Sequence, residues 1–292
     1  MNKTVLVLGA TGMAGHVTYT YLNETGKYTM IPICHSGKIG TNSYTLDIYD
    51  TEKLVTILEQ HKPDYVVNCI GILIKGAKNN PANAIYINAY FPHRLSEIVH
   101  SILPKSQVIH ISTDCVFSGK TGNYKDSDEK DALDVYGMSK NLGEIINDSD
   151  LTLRTSIIGP ELKANGEGLF HWVFSQKNAG VLNGYEKSIW GGVTTLELAK
   201  IIDKSIKENL TGLYQISNNV PISKYDLISL IVKEFALHIK VNSIEGIICD
   251  KSIVNSCRED FSHTVPSYDV MISEMRLFMH SHKDLYKQYL EG

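Results

Sequence analysis

Tyr136 and Lys140 stand four residues apart in the run Tyr136-Gly137-Met138-Ser139-Lys140-Asn141-Leu142-Gly143-Glu144. On a helix that spacing puts both side chains on one face, one turn apart. An ammonium beside a phenol favours the phenolate and lowers the tyrosine pKa, so the pair is suited to passing a proton near neutral pH. A third candidate, Thr113, follows the β-like run Val108-Ile109-His110-Ile111. Its hydroxyl is therefore expected at the carboxyl end of a strand, where open α/β sheets bind ligands. The chain has 16 tyrosines, so a lone Tyr-x-x-x-Lys would mean little; the elements around it must supply the case.

The first of these elements is Val5–Leu8, a short apolar run expected of a strand buried on both faces. It enters Gly9-Ala10-Thr11-Gly12-Met13-Ala14-Gly15 and then a helical pattern that ends near Gly26. Strand, glycine turn and helix begin a dinucleotide fold: Gly9 for the tight turn, Gly12 for close approach of a pyrophosphate, Gly15 for helix–sheet packing. Thr11 and Met13 belong to the same candidate cofactor turn. A second strand, Tyr28–Cys34, ends in His35-Ser36 with Lys38 nearby and no carboxylate to repel a 2′-phosphate, which tilts the cofactor from NADH towards NADPH. A third strand is read at Thr45–Asp47. Asp47 and Ile48 either hold an adenosine, or Asp47 or Asp50 simply caps a helix over Thr51–Gln60. The fourth strand, Tyr65–Cys69, opens into Ile70-Gly71, expected beside the glycine turn.

Lys75–Asn83 reads as a polar segment before a helix that holds Asn88, Leu95, Ile98 and Val99. Asn88 either bonds near the active site or caps. A charged loop, Lys120–Asp134, leads to the Tyr136 helix, and a sixth strand spans Leu151–Thr155. The expected division is a Rossmann-type, doubly wound parallel sheet over residues 1–160 and a small, mostly α, substrate lobe over 161–292. A segment of about 193–218, with a strand at Leu213–Ile216, returns to the main sheet; helices follow at Lys224–His238 and Ser267–Met279. Trp190 either lines a substrate cleft or fills the lobe's core. Arg258 either clamps a diphosphate or pairs with Glu259 or Asp260.

At 292 residues and 43% hydrophobic, the chain can bury one large core or two smaller ones. A net charge of −4 without a basic stripe argues against nucleic acid, and no apolar run is long enough for a membrane span. Five scattered cysteines (34, 69, 115, 249 and 257) form no Cys-x-x-Cys pair, which fits a reducing cytoplasm, and the histidines show no metal spacing.

Taken together, Gly9–Gly15, Ser112-Thr113-Asp114-x-Val116-Phe117-x-Gly119 and Tyr136-Gly137-x-Ser139-Lys140-x-x-Gly143-Glu144 resemble the extended short-chain dehydrogenase/reductase superfamily, and within it the dTDP-4-dehydrorhamnose reductase branch. The resemblance is strong to about Pro160 and weaker beyond. It implies NADPH-dependent reduction of the C4 carbonyl of a nucleotide-diphosphate-linked 4-keto-6-deoxysugar, in cell-surface polysaccharide synthesis, by a chain compatible with a homodimer. It gives Tyr136 the role of proton donor. Lys140 holds the nicotinamide ribose and lowers the Tyr136 pKa, Thr113 bonds the reacting oxygen, and Asp114 positions the sugar. Dehydratases of the superfamily carry Thr-Asp-Glu where this chain has Thr113-Asp114-Cys115, which argues for simple reduction. Ile157, after Arg154-Thr155-Ser156, stands where the branch tends to have tryptophan, and Cys115 where it often has tyrosine, so the sugar pocket is expected to differ. An epimerase/reductase, or a non-catalytic cofactor-binding regulatory subunit, are the alternatives the same resemblance allows.

Overall fold

In the computed structural model, residues 2–256 and 258–290 are described; Cys257 lies outside them. Seven parallel strands make the main sheet: β1 (Lys3–Leu8), β2 (Tyr28–Cys34), β3 (Tyr44–Thr45), β4 (Tyr65–Asn68), β5 (Gln107–Ser112), β6 (Leu151–Arg154) and β7 (Gly212–Gln215). Their spatial order is β7-β6-β5-β4-β1-β2-β3. In β1, Val5 and Val7 join one core and Leu6 and Leu8 the other. The alternation explains why the run is continuously apolar, and each such side chain contributes roughly 1.5–3 kcal/mol by leaving water.

The helices that matter for the site are α1 (Met13–Glu24), α2 (Thr51–His61), α3 (Phe91–Ile102), α4 (Val135–Leu142) and α5 (Thr195–Glu208). Chain order reverses between β1 and β4, which opens a crevice at the carboxyl edge of the sheet. Leu8 is in register with Asn68, and Asn68 with His110. Gly9, Cys69 and the Ile111–Thr113 segment therefore leave the sheet side by side. After β6 the chain enters the lobe, returns through α5, which packs on α1, and adds β7 beside β6.

Three expectations need correction. Lys75–Asn83 is helical, over Ile74–Asn79 and Pro81–Ala84, because Asn80 accepts from the Asn83 amide and Pro81 fits a first turn. It runs on through a π-helical turn, Ile85–Tyr90, into α3. The third strand is Tyr44–Thr45, one residue pair earlier than its apolar neighbour Leu46 suggested. The lobe is helical at Lys224–Glu234 and Tyr268–Ser281, but it also holds two small sheets. One joins Ile222–Ser223, Ser188–Trp190 and Cys249–Asp250; the other joins Lys240–Ile244 and Val181–Tyr185. These strands are short and partly exposed, so they lack a long apolar run. The first lobe helix stops four residues before His238, as the chain turns through Ala236 at φ +50°.

A strap from the lobe docks on the loop after Thr113. Asp250 N–H donates to Gly119 O (2.8 Å), Tyr124 N–H to Ser252 O (3.0 Å), and Val254 N–H to Tyr124 O (2.8 Å). Among the described residues, no helix is long and apolar enough to cross a membrane.

Candidate active site

The glycine turn is fixed by close backbone approach. Gly9 has φ +75°, and a Cβ there would stand 3.2 Å from Ile70 Cγ1 and 3.3 Å from the Cys69 carbonyl. A Cβ on Gly15 would come within 2.1 Å of Gly9 O, so α1 can start this close to β1 only with glycine there. Gly12 caps α1 with no side-chain acceptor, and no acid sits in the first turn. The first amides of α1 are left for an outside anion, so the turn fits a dinucleotide pyrophosphate. His16 braces it: Nδ1 lies 2.7 Å from Gly12 O and so donates, while Nε2 accepts from the Tyr286 hydroxyl at 3.0 Å. Burial pushes the His16 pKa down to about 4, keeping it neutral in this relay. Met13 rests on Gly168 of the lobe.

Thr11 Oγ1 donates to Ser36 O (3.2 Å), tying the turn to the loop after β2, where His35, Ser36 and Lys38 are exposed. Asp50, not Asp47, caps α2, accepting from Lys53 N–H at 3.0 Å. Asp47 is exposed and accepts only from the Tyr49 amide within its own turn (3.1 Å). Ile48 is packed in the core with Leu46 and Leu54.

At the end of β5, Thr113 opens the short turn Asp114–Val116. Its Oγ1 accepts from Cys115 N–H (3.2 Å) and donates to Asp114 Oδ1 (3.1 Å). Asp134 caps α4 through Gly137 N–H (2.8 Å). A Cβ on Gly137 would lie 2.2 Å from Cys115 O, and one on Gly143 only 1.9 Å from Asn88 O. Glycine at both positions lets α4 press onto the Thr113 turn and the π-helical turn. The Tyr136 phenol is thereby brought beside Thr113, whose hydroxyl acts on its titration. Lys140, 4% exposed, donates to Ile111 O at 2.7 Å and lies 3.3 Å from His110 Nε2.

The electrostatics differ from expectation. Burial, with Cys115 adding to it, pushes the Tyr136 pKa well above the ordinary phenol value; the Thr113 hydrogen bond only partly offsets this. Lys140 does not lower it, because its ammonium end turns to Ile111 O and His110. Burial brings Lys140 itself down to about 8.

Of the candidate substrate residues, Asn88 bonds protein groups beside the site, and two others, Trp190 and Arg258, fall elsewhere. Asn88 is buried and saturated by protein: it accepts from Ile72 N–H (2.8 Å) and donates to Ile72 O (2.9 Å) and Ser139 Oγ (3.2 Å). It clamps the Ile70–Ile72 segment, including Gly71, to α4. Trp190 is 7% exposed and packs on Tyr268 in the lobe core. Arg258 grips Asp260 and donates to Thr211 O and Leu213 O, at the amino end of β7 and so the far edge from Thr113. Ile157 is half-buried at the carboxyl edge, paired with Val193.

Two features were missed. Lys251 arrives on the strap beside Cys115 and Asp114. Burial opposes its charge, but Cys115 and Asp114 outweigh burial and raise its pKa. No local motif marks Lys251; only the docking of the strap does. Glu144, quoted above without a role, accepts both guanidinium arms of buried Arg154, at 2.8 and 2.7 Å, and the Ser112 hydroxyl at 2.8 Å. Among the described residues no group of three or more His, Cys, Asp or Glu side chains could hold a metal.

A family model described as RmlD substrate binding domain matches residues 2–252. A probable low-salt glycan biosynthesis reductase of Haloferax volcanii is 33% identical over 187 residues, spanning 60% of each chain and hence less than two thirds of that relative. A dTDP-4-dehydrorhamnose reductase of Aggregatibacter actinomycetemcomitans is 26% identical over 242 residues, 79% of this chain and 78% of the relative. The solved dTDP-4-dehydrorhamnose reductase of Bacillus anthracis, in complex with NADP, superposes with a TM-score of 0.82 over 95% of this chain and 100% of that one; at 19% identity this shows the shared fold.

Proposed function

Because the chain belongs to the RmlD substrate binding domain family, we propose that it is an NADPH-dependent reductase of a nucleotide-linked sugar, acting on the C4 carbonyl of a 4-keto-6-deoxysugar in the synthesis of a surface polysaccharide. The observation that carries this reading is the Thr113–Tyr136 contact, with Lys140 one helical turn on, at the strand edge beside the glycine turn.

NADPH, when bound, supplies the hydride. The open amides of α1 bind its pyrophosphate, Thr11 and Met13 flank it, and His35 and Ser36 take the 2′-phosphate, with Asp47 near the adenosine. Cys69, Ile70 and Gly71 form the wall beside Gly9. Lys140 orients the nicotinamide ribose. Tyr136 donates a proton to the developing alkoxide, and its raised pKa keeps it protonated until that charge appears. Thr113 bonds the same oxygen; Asp114 and Ile157 face the sugar, and Lys251 adds a cation on that side. Cys115 in place of a glutamate leaves no extra acid for elimination.

The test is incubation of the purified protein with NADPH and freshly generated dTDP-4-keto-6-deoxy-L-mannose, following loss of reduced-nicotinamide absorbance, with UDP- and CDP-linked 4-keto sugars in parallel. Turnover with one of the three is expected. No turnover with any of them overturns the reading.

A further inference from the structure

Lys140 is held from beneath by a chain of hydrogen bonds whose direction can be worked out. Ile70 N–H donates to Asn68 Oδ1 at 3.1 Å, which fixes how the Asn68 amide points. Its NH2 group therefore faces His110 Nδ1, at 3.2 Å, and Nδ1 must accept. A neutral imidazole that accepts at Nδ1 carries its proton on Nε2. That Nε2–H faces Lys140 Nζ at 3.3 Å. His110 is fully buried, and its pKa is driven far below the ordinary histidine value, by burial first and by Lys140 second, so it stays neutral.

A neutral lysine amine can accept from Nε2–H and still donate to Ile111 O at 2.7 Å. An ammonium has donors only and would confront the His110 donor. We infer that His110, locked as the Nε2–H tautomer by Asn68, is a positioning residue that opposes the ammonium form of Lys140 and so sets the pH at which this lysine loses its charge. The inference rests on the reading of Lys140 as the residue that orients the cofactor, and it goes beyond it by making that residue's charge conditional.

The other groups facing Lys140 do not supply this effect. Glu144, just past the end of α4, and Cys69, just past β4, both favour the ammonium, and Tyr136 lies one turn away on the helix that carries Lys140. On His110 itself, burial acts first, Lys140 second and His93 on α3 third. Its mismatched donor is thus the contact that opposes the charge, together with burial.

The test uses the full chain without ligand. A long-range proton–nitrogen spectrum reads the His110 tautomer, and the Lys140 Cε shift is followed from about pH 6 to about pH 11, across the ordinary lysine pKa of about 10.4. The expected result is protonation at Nε2 and a Lys140 midpoint at about 8. Protonation at Nδ1, or a midpoint at the ordinary lysine value, overturns the inference. In Asn68→Asp, a carboxylate would accept from Nδ1–H, so the tautomer should switch and the Lys140 midpoint rise by about one pH unit or more. His110→Gln offers Lys140 an amide oxygen without adding charge, and the midpoint should move the same way. If His110 is merely a packed ring, His110→Gln leaves the midpoint where it was; the Asn68→Asp carboxylate can raise it by charge alone, so the uncharged variant decides. In turnover assays the alkaline step of kcat/KM should follow the Lys140 midpoint. Absence of turnover would sink the proposed reaction and leave the spectroscopic result standing.

Discussion

Two cations are buried near the carboxyl edge of this sheet, and they are managed in opposite ways. Arg154, at the end of β6, is fully buried and meets a two-armed carboxylate from Glu144, with Gln215 Oε1 at 3.0 Å from a third nitrogen. Lys140, on α4, meets a carbonyl and an imidazole but no carboxylate within bonding distance. The charge on Arg154 is compensated, so this side chain stays ionised and ties α4 to β6 and β7. The charge on Lys140 is uncompensated, which leaves it free to come and go. A burial that fixes one charge and loosens another depends on the partner, not on depth.

The sharpest way to break this contrast is to remove the compensating carboxylate. Glu144→Leu should cost about 3–5 kcal/mol in chemical denaturation, because Arg154 then stays buried and unpaired. Glu144 gives the pair a pH signature as well. Burial alone would raise its pKa, but Arg154, Ser112 and Lys130 hold it below the ordinary value. The stabilisation is therefore present above the ordinary carboxylate pKa and is lost as pH falls through the depressed one. Tyr136→Phe comes next: kcat should fall about 10²-fold or more, roughly 2.7 kcal/mol, while NADPH affinity by fluorescence titration stays nearly constant.

Lys140→Met should not destabilise the fold at neutral pH, since no ion pair is lost and a buried charge is removed. The folded pKa of Lys140 is about 8, below its unfolded value, so between the two the unfolded chain holds the extra proton and stability rises with pH. That rise should be smaller in Lys140→Met; an unchanged slope would mean the lysine is not the titrating group. Lys251→Met should raise KM for the nucleotide sugar about tenfold with little change in kcat, as expected of a binding contact away from the reacting carbonyl. The smallest effect belongs to Arg258→Ala, on the far edge: about 1 kcal/mol or less in stability and unaltered kcat/KM.

The half of the site that was legible in the sequence is the half made by local geometry. Gly9, Gly15, Gly137 and Gly143 each mark a place where backbone meets backbone, and that demand is written in residue type and spacing. Thr113 could be placed because a buried strand announces its own end. Trp190 and Arg258 could not, since an aromatic or an arginine in the lobe looks the same whether it meets a ligand, a core or a carbonyl. Lys251 was invisible for the same reason: 138 positions separate it from Thr113, and only strap docking at Gly119 and Tyr124 brings it to the Thr113 turn. The sign of the Tyr136 shift was lost because a helical spacing of four says nothing about which way a lysine's end group turns.

The Tyr286–His16–Gly12 relay has a bearing on how the protein should be handled. The glycine turn after β1 is braced from 270 positions away, by the Tyr286 hydroxyl acting through His16. A chain shortened to end before Tyr286 would keep every motif of the nucleotide site and still leave His16 Nε2 without its donor. Loss of the Tyr286 hydroxyl would thus be felt first at the glycine turn, well ahead of any loss of the sheet.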